Sequence, residues 1–425
     1  MKSRDDMKAV VMAAGEGKRL QPLTFTRPKP MIPIAGKPHL ELILEYLKNA
    51  GISEVILIVG YKQEQIADYF QDGSAIGLKI DYVTQEEQLG TGHAALCAQE
   101  LVQSEPFLLM NGDILISQET FVQLLKQYKA SSRSPQLSVV KVPDPSAYGI
   151  IQFKQKTGEV LKIIEKPTDR TLFAEAYTNA GLYILHPNIF EAIQKTPKSS
   201  RGEIEITDSI QRLINQGESI KCFKIEGFWL DLGKPWELFE ATHHILDKME
   251  SSNQGTIEEN VKITGTVSIG AGTLIRSGSY LVGPIFIGKD CNIGPNCYIR
   301  SYCSIGDDVH IGHACELKNT IILDHSSIPH LSYIGDSVIG SYVNLGAGTI
   351  TANLRFDKKS VLMTVKGEKI DTGQQKLGTI IGDYVQTGIG TTIMPGVKIG
   401  PYTCIGPNTN IWEDIPPNTN YIKKE

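Results

Sequence analysis

The chain lacks any long apolar run. Nowhere in its 425 residues does one approach the roughly 18 residues a membrane-spanning helix needs, so no membrane partner is expected. It also lacks an excess of positive charge. The formal net charge of −5 argues against a nucleic-acid binder and requires any basic site to be local. The start, MKSRDDMKAVVMAAG, faintly imitates a signal peptide, but Asp5 and Asp6 interrupt it and its apolar run is too short. A cytoplasmic location is expected. Cysteine is scarce: seven residues, an odd number, point to free thiols rather than disulfides. What is present, 41% apolar and 21% charged residues, describes a soluble globular protein long enough for two or more domains.

The stretch from Ala13 to Pro30, AAGEGKRLQPLTFTRPKP, follows a short apolar run, Lys8 to Met12, that reads as a first strand. Gly15 and Gly17 let the backbone curl and turn N–H groups towards an anion. Lys18, Arg19, Arg27 and Lys29 bring cations to the same turn, and Pro22, Pro28 and Pro30 hold the rest extended. A glycine turn after a strand, rich in Arg and Lys, is a phosphate site by its physics.

To about residue 250, short β-rich runs alternate with helical patterns. Glu54–Val59, Lys79–Val83, Phe107–Met110 and Leu137–Val142 read as strands; Leu40–Asn49, Gln63–Tyr69, Gly92–Leu101, Thr120–Tyr128, Glu203–Asn215 and Pro235–Met249 read as helices. Such alternation implies a Rossmann-like α/β unit with a mostly parallel sheet and ligands at the carboxyl ends of its strands. Ser251 to Thr256 is a polar break, giving domains 1–250 and 251–425.

Beyond the break an aliphatic residue recurs every six positions, without a gap, from Ile257 to Leu323. The period resumes at Ile339 and Leu345, and again from Ile381 to Ile411. A hexapeptide repeat makes one short strand and turn per unit, and three units make one coil of a solenoid. Cys291, Cys297, Cys303 and Cys315 occupy the small position of their units. Neighbours six apart lie on different faces, so buried small hydrophobes are expected rather than a metal cluster. The period breaks between Leu323 and Ile334, around His325, His330 and Tyr333. It breaks again between Asn353 and Leu377, where charged residues read as a loop thrown out from the solenoid.

The Ala13–Pro30 string resembles the signature of sugar-1-phosphate nucleotidyltransferases. That resemblance implies attack of a sugar phosphate on a nucleoside triphosphate, with release of pyrophosphate. The nucleophile is already an anion, so the task is to hold two polyanions and stabilise charge at the α-phosphorus. By the resemblance Arg19 contacts the departing pyrophosphate and Lys29 the reacting phosphates. Ala14, Gly15, Gly17, Gln85, Gly90 and Thr91 hold the nucleotide. Asp113 in LLMNGD and Asp231 in WLDLG hold Mg²⁺. Gly149, Glu165, Lys166 and Asn179 contact the sugar. Glu165-Lys166-Pro167 resembles the glucose-1-phosphate thymidylyl branch. GTGHA, Gly90 to Ala94, resembles the N-acetylglucosamine-1-phosphate uridylyl branch, which commonly has Tyr where this chain has Asn111. Sugar and base, UTP or dTTP, stay open between the two.

The repeats resemble those of hexapeptide acyltransferases, which implies a left-handed parallel β-helix. Ser326 to Asn353, SSIPHLSYIGDSVIGSYVNLGAGTITAN, resembles the acetyltransferase core of the bifunctional uridylyltransferase/acetyltransferases, most closely the archaeal ones, and this resemblance spans nearly the whole chain. It implies His330 as general base, a role that suits a neutral imidazole. It implies Arg300, Lys318, Tyr333 and Asn344 as contacts to an amino-sugar phosphate. Ala347, Asn353, Thr387 and Cys404 fall at acetyl-CoA positions. Cys404 and Ile328-Pro329 depart from the small residues usual there. The expected enzyme acetylates glucosamine 1-phosphate with acetyl-CoA, then transfers UMP from UTP, and assembles as a homotrimer. The alternative is a single-activity glucose-1-phosphate thymidylyl- or uridylyltransferase whose β-helix serves assembly or regulation. A non-catalytic subunit is disfavoured by the presence of Arg19, Lys29, Asp113 and Asp231.

Overall fold

The computed structural model describes residues 7–165, 169–173 and 176–422. The chain forms two compact units. The first comprises residues up to Glu16, Pro28–Met31 and His39–Asp231; the second comprises Gly17–Arg27, Ile32–Pro38 and Leu232 onwards.

The first unit is built on a nine-stranded mixed sheet. Four strands, Phe107–Asn111, Lys8–Met12, Glu54–Val59 and Lys79–Thr84, lie side by side and parallel. The strand Glu54–Val59, EVILIV, is buried on both faces after its first residue, as a central parallel strand must be. Helix His39–Asn49 turns Leu40, Ile43, Leu44 and Leu47 inward, the spacing of one helical stripe. Beyond Phe107–Asn111 the sheet continues antiparallel through Thr178–Leu185, which pairs with Gln136–Val140 and Ile150–Phe153. Of these antiparallel strands the sequence pattern shows only Gln136–Val140, predicted as Leu137–Val142. Val160–Ile164 has a single buried residue, and Thr178–Leu185 carries Asn-Ala-Gly at its start, so neither shows a clean alternation. The helix predicted over Gly92–Leu101 is two, Thr91–Cys97 and Gln99–Val102, broken at Ala98. Apolar cores fill both sides of the sheet.

The second unit is a three-faced parallel β-helix, with sheets of eight, nine and eight strands that start at Ser252–Asn253. Each coil pairs in register with the next. The aliphatic ladder fills the interior, with Cys291, Cys297, Cys303 and Cys315 among the packed side chains. All seven cysteines are free thiols. The register slip lies elsewhere than predicted. Ile322, not Leu323, pairs with Ile305, and Ile328 and Ile334 pair with Ile311 and Leu317. Ile322 also pairs with Ile339. The shortened faces are therefore Leu317–Ile322 and Ile334–Ile339, five residues apart instead of six. His330 stands on regular strand, at the end of Ser327–His330. A helix ladder this tight leaves no room for a methyl at some glycines: a Cβ at Gly312 would come 1.8 Å from the Pro329 carbonyl oxygen of the next coil.

One corner carries a column of residues with positive φ, namely His325, Tyr342, Tyr384 and Tyr402. Their rings stack at 4.6, 4.8 and 4.8 Å between centroids. His325 Nδ1 lies 2.9 Å from Asp308, so His325 belongs to the corner, not to a break. The charged segment after Asn353 is a hairpin, Leu362–Val365 against Glu368–Asp371. Val361, Met363 and Val365 are buried, so it packs through its apolar side instead of projecting freely.

Candidate active sites

In the first unit the carboxyl end of the parallel strands opens into a cleft of about 250 Å³. Met12, Ala14, Gly15, Gln85, Gln88, Gly90, Thr91, Asn111, Asp113 and Glu203 line it. Six of the sequence-predicted residues are thus brought together: Ala14, Gly15, Gln85, Gly90, Thr91 and Asp113. Gly15 has open space where a side chain would stand, which lets a ligand approach the backbone. Gly90 has φ +104, and a Cβ there would lie 2.7 Å from the Ile204 carbonyl. Gln85 is buried, with Nε2 3.2 Å from the Gly90 carbonyl and 3.1 Å from His93 Nδ1. Thr91 Oγ1 accepts from the Ile206 N–H at 3.1 Å.

Lys29 Nζ donates to Asp113 Oδ2 at 2.7 Å. Burial alone would push the Asp113 carboxyl up, but the Lys29 charge and hydrogen bond, helped by His39, hold it below its usual value. The strand Trp229–Asp231 pairs antiparallel with Ile114–Ile116, which sets Asp231 opposite Ile114, one residue from Asp113. Two carboxylates at adjacent strand ends supply hard oxygen donors and fit a divalent cation such as Mg²⁺ that keeps water and phosphate as its other ligands.

The sugar-predicted residues converge as well. The Asn179 N–H donates to the Gly149 carbonyl at 2.8 Å, and a Cβ at Gly149 would sit 2.9 Å from Glu165 Oε1. Asn179 Nδ2 donates to the Tyr183 hydroxyl at 2.7 Å, while its Oδ1 accepts from the Gly181 N–H at 3.2 Å. Lys166 lies outside the described residues. Gly17 and Arg19 fall in the second unit. Gly17 is left-handed, and its carbonyl accepts from Leu20 N and Thr24 Oγ1; Arg19 is exposed. Arg27 departs from its predicted place among the phosphate-turn cations. Its guanidinium donates to Asp383 Oδ2 at 2.5 Å and to Ser341 Oγ at 3.0 Å, inside the second unit.

Three further residues line the cleft without having been assigned a role from the sequence. Gln88, inside the Gln85–Ala94 stretch, donates through Nε2 to the Ala14 carbonyl at 3.0 Å, and Glu203 supplies a carboxylate. Asn111 Oδ1 is buried with no partner among the described residues. An orphan acceptor on a cleft wall calls for an N–H or O–H from a ligand. A fourth, His39, sits beneath. It is 1% exposed, and its Nε2 is 3.2 Å from the Ile114 carbonyl. Desolvation, reinforced by Lys29, pulls its pKa down to about 4.

In the second unit Arg300, Lys318, Tyr333 and Asn353 belong to one face. Tyr298, Glu316 and Tyr333 are register partners on successive coils. Arg300 Nη1 pairs with Glu316 at 3.0 Å. Lys318 Nζ pairs with Asp336 at 2.8 Å, and Asn353 Nδ2 donates to the Tyr333 hydroxyl at 3.1 Å. Burial, with Asp336 next in weight, pushes the Tyr333 hydroxyl up. His330 ends a strand of the adjoining face, three residues before Tyr333, and is exposed. Asn344 is exposed on the next coil of that face. The Ala347 carbonyl accepts from the Gly390 N–H at 2.8 Å. Cys404 is half-buried on that face, one coil beyond Thr387. Thr387 points inward. Its hydroxyl accepts from the Gly346 N–H and lies 3.1 Å from Thr349 Oγ1, so any contact it makes with a coenzyme falls to its backbone.

Comparison with known proteins agrees with this division. The Nucleotidyl transferase family matches residues 8–248, the GMPPB C-terminal domain 281–388, and the bacterial transferase hexapeptide (six repeats) 378–411. The bifunctional protein GlmU of Methanocaldococcus jannaschii is 42% identical over 419 residues, covering 99% of this chain and 98% of its own. The bifunctional sugar-1-phosphate nucleotidylyltransferase/acetyltransferase of Sulfurisphaera tokodaii is 41% identical, covering 96% and 98%. A UDP-glucose pyrophosphorylase crystallised with UDP-glucose superimposes with TM-score 0.53 at 27% identity, covering 57% of this chain and 100% of its own.

The His39 environment has a thermodynamic consequence. Its folded pKa lies below the unfolded value, so between pH 6.5 and 4 the unfolded chain binds a proton that the folded chain refuses. Stability present at neutral pH is lost as pH falls through that window. The shift from 6.5 to about 4 corresponds to roughly 3 kcal/mol. Urea unfolding of the parent and of His39→Gln at pH 7 and pH 4.5 should show the smaller acid loss in the variant. Parallel losses would clear His39 of the effect.

Proposed function

The chain belongs to the family of bifunctional sugar-1-phosphate nucleotidylyltransferases/acetyltransferases, and on that premise we propose that it makes UDP-N-acetylglucosamine in two steps. The first is acetyl-CoA-dependent N-acetylation of glucosamine 1-phosphate in the left-handed parallel β-helix. The second is uridylyl transfer from UTP to the acetylated sugar phosphate in the α/β unit. One observation carries the reading: similarity to bifunctional relatives runs through both halves of the chain at once. A single-activity enzyme would leave the second half without its matching partner.

In nucleotidyl transfer a phosphate oxygen of the sugar phosphate attacks the α-phosphorus, and pyrophosphate leaves. No proton need be removed from the nucleophile. Lys29 supplies positive charge beside the reacting phosphates, and its bond to Asp113 keeps that carboxylate ionised. Arg19 meets the leaving pyrophosphate. Mg²⁺ held by Asp113 and Asp231 would neutralise phosphate charge when bound. Gln85 and Gly90 receive the base; Gly149, Glu165 and Asn179 receive the sugar.

In acetyl transfer the amine nitrogen attacks the thioester carbonyl, the C–S bond breaks, and the coenzyme leaves as its thiol. His330 takes the proton lost by the amine. Its ring makes no hydrogen bond among the described residues, which leaves a nitrogen available. Arg300 and Lys318 hold the sugar's phosphate, Tyr333 and Asn344 the sugar, and Ala347, Asn353, Thr387 and Cys404 the coenzyme.

Two substitutions test the division of labour on one preparation. Lys29→Ala removes a transition-state charge contact worth roughly 3–4 kcal/mol, so pyrophosphate release should collapse while CoA release persists. His330→Ala should slow CoA release by about 10²–10⁴-fold and leave pyrophosphate release intact. Loss of both activities in either variant, with folding unchanged, would dissolve the two-site reading. Chelation of divalent cations should silence pyrophosphate release alone, because thioester aminolysis needs no metal; equal loss of both would remove Asp113 and Asp231 from the metal role. We also propose a cytoplasmic homotrimer assembled through the solenoid. Sedimentation showing only monomer at micromolar concentration would reject the trimer.

A further inference from the structure

Asp336 is assigned to neither substrate, yet it lies at the centre of the polar face that the acetyl-transfer reading uses. It is 4% exposed and occupies a corner with φ 49. Its carboxylate accepts four hydrogen bonds. Oδ1 receives Lys318 Nζ at 3.2 Å and Asn319 Nδ2 at 2.8 Å; Oδ2 receives Lys318 Nζ at 2.8 Å and Asn353 Nδ2 at 2.5 Å. Behind it, Asn319 Oδ1 accepts from His243 Nε2 at 2.6 Å, and the His243 ring packs at a tilt of 36° against Tyr302, 4.1 Å between centroids.

The donor inventory of these groups fixes what faces outward. An ammonium has three N–H donors, and a carboxylate that engages it through both oxygens leaves the remainder directed away. An amide set against a carboxylate must present its NH₂ end. Asn353 Nδ2 then spends one hydrogen on Asp336 and the other on the Tyr333 hydroxyl at 3.1 Å. Asn353 Oδ1 is left as an acceptor, and the Tyr333 O–H, already accepting, is left to donate. One carboxylate thereby sets the direction of a cation, an acceptor and a donor on the same face. There is no slack behind it, since a Cβ at Gly335 would stand 2.4 Å from the Tyr333 hydroxyl and 2.8 Å from Asn353 Nδ2.

We infer that Asp336 is the positioning residue of the amino-sugar phosphate site, orienting Lys318, Asn353 and Tyr333 towards the substrate without touching it. The inference rests on the acetyl-transfer reading above. Charge-assisted bonds to a buried carboxylate are strong and directional, and small misplacements of substrate-holding groups cost catalysis steeply.

Asp336→Asn keeps the shape but turns an NH₂ towards the Lys318 ammonium or the Asn353 amide. Steady-state kinetics of CoA release should show KM for glucosamine 1-phosphate raised about tenfold or more, and KM for acetyl-CoA within about twofold of the parent. Asp336→Glu restores the carboxylate and should recover part of the amino-sugar KM, although the longer side chain fits the buried corner less well. A merely structural residue gives the opposite pattern: both KM values unchanged, kcat reduced in proportion to folded protein, and Glu worse than Asn. That pattern, or parental kinetics throughout, overturns the inference. Should Asp336→Asn fail to fold, Asn319→Ala carries the test. It removes one donor from the carboxylate, touches no residue assigned to a substrate, and should raise the same KM about twofold to fivefold; an unchanged KM overturns the inference. Absence of CoA release from the parent chain overturns the acetyl-transfer reading and this inference with it, whereas an active parent with an indifferent Asp336 overturns this inference alone.

Discussion

In-register stacking of coils is the constraint on which the second unit depends. Through the middle coils each strand pairs parallel with its equivalent 17 or 18 residues on, as Asn292 does with His310 and His310 with Ser327, and across the hairpin the partner lies 42 residues on, as for Val338 and Ile380. Residues far apart in sequence become neighbours at the spacing of paired strands, about 4.8 Å. Glu316 faces Tyr333, and Lys318 stands beside Gly335. The ladder therefore converts sequence period into a flat array of side chains whose positions are set by backbone hydrogen bonds rather than by flexible loops. A rigid array suits chemistry that needs an amine and a thioester held in one geometry. It also explains why two five-residue faces matter. Shortening Leu317–Ile322 and Ile334–Ile339 keeps the aliphatic ladder inside while changing the local turn, and both lie where the polar face is built.

The period itself was plain in the sequence, because an aliphatic residue every six positions leaves little freedom of interpretation. The place of the slip was not. Leu323 continues the sixfold count from Leu317, and Ile322 does not, yet both are buried. Only pairing with Ile305 decides between them, and pairing partners are absent from a one-dimensional pattern. The parallel strands of the first unit were legible for a related reason: strands buried on both faces are continuous apolar runs. The antiparallel extension was not, since Val160–Ile164 and Thr178–Leu185 carry polar residues or glycine at positions that a propensity argument counts against a strand.

The candidate site residues divide along the same line. Those carried by a contiguous motif, such as Gly15, Gln85, Gly90 and Asp113, are legible in the sequence and meet in one cleft. Residues defined by a long-range contact are not legible there. Arg27 reads as one more cation of the phosphate turn, but a guanidinium follows whichever carboxylate reaches it, and Asp383 stands 356 positions away. His39 and Asp336 carry no motif of their own. What distinguishes them is what surrounds them, a buried imidazole against Lys29 in one case and a carboxylate with four hydrogen bonds in the other.

Both candidate sites pair a lysine with an aspartate. A site for phosphates needs cations, and cations at a partly closed surface must be kept directed and charged without a substrate present. At Lys29 the partner is Asp113, whose own ionisation is held by that contact; at Lys318 it is Asp336. The two carboxylates then differ in what remains to them. Asp113 has Asp231 on the adjoining strand end and a cleft before it. Asp336 is buried, its carboxylate taken up by four hydrogen bonds from Lys318, Asn319 and Asn353. The same pairing of lysine and aspartate thus stands open to a cleft in one unit and enclosed in the other, the Asp113 side chain being 38% exposed and that of Asp336 6%.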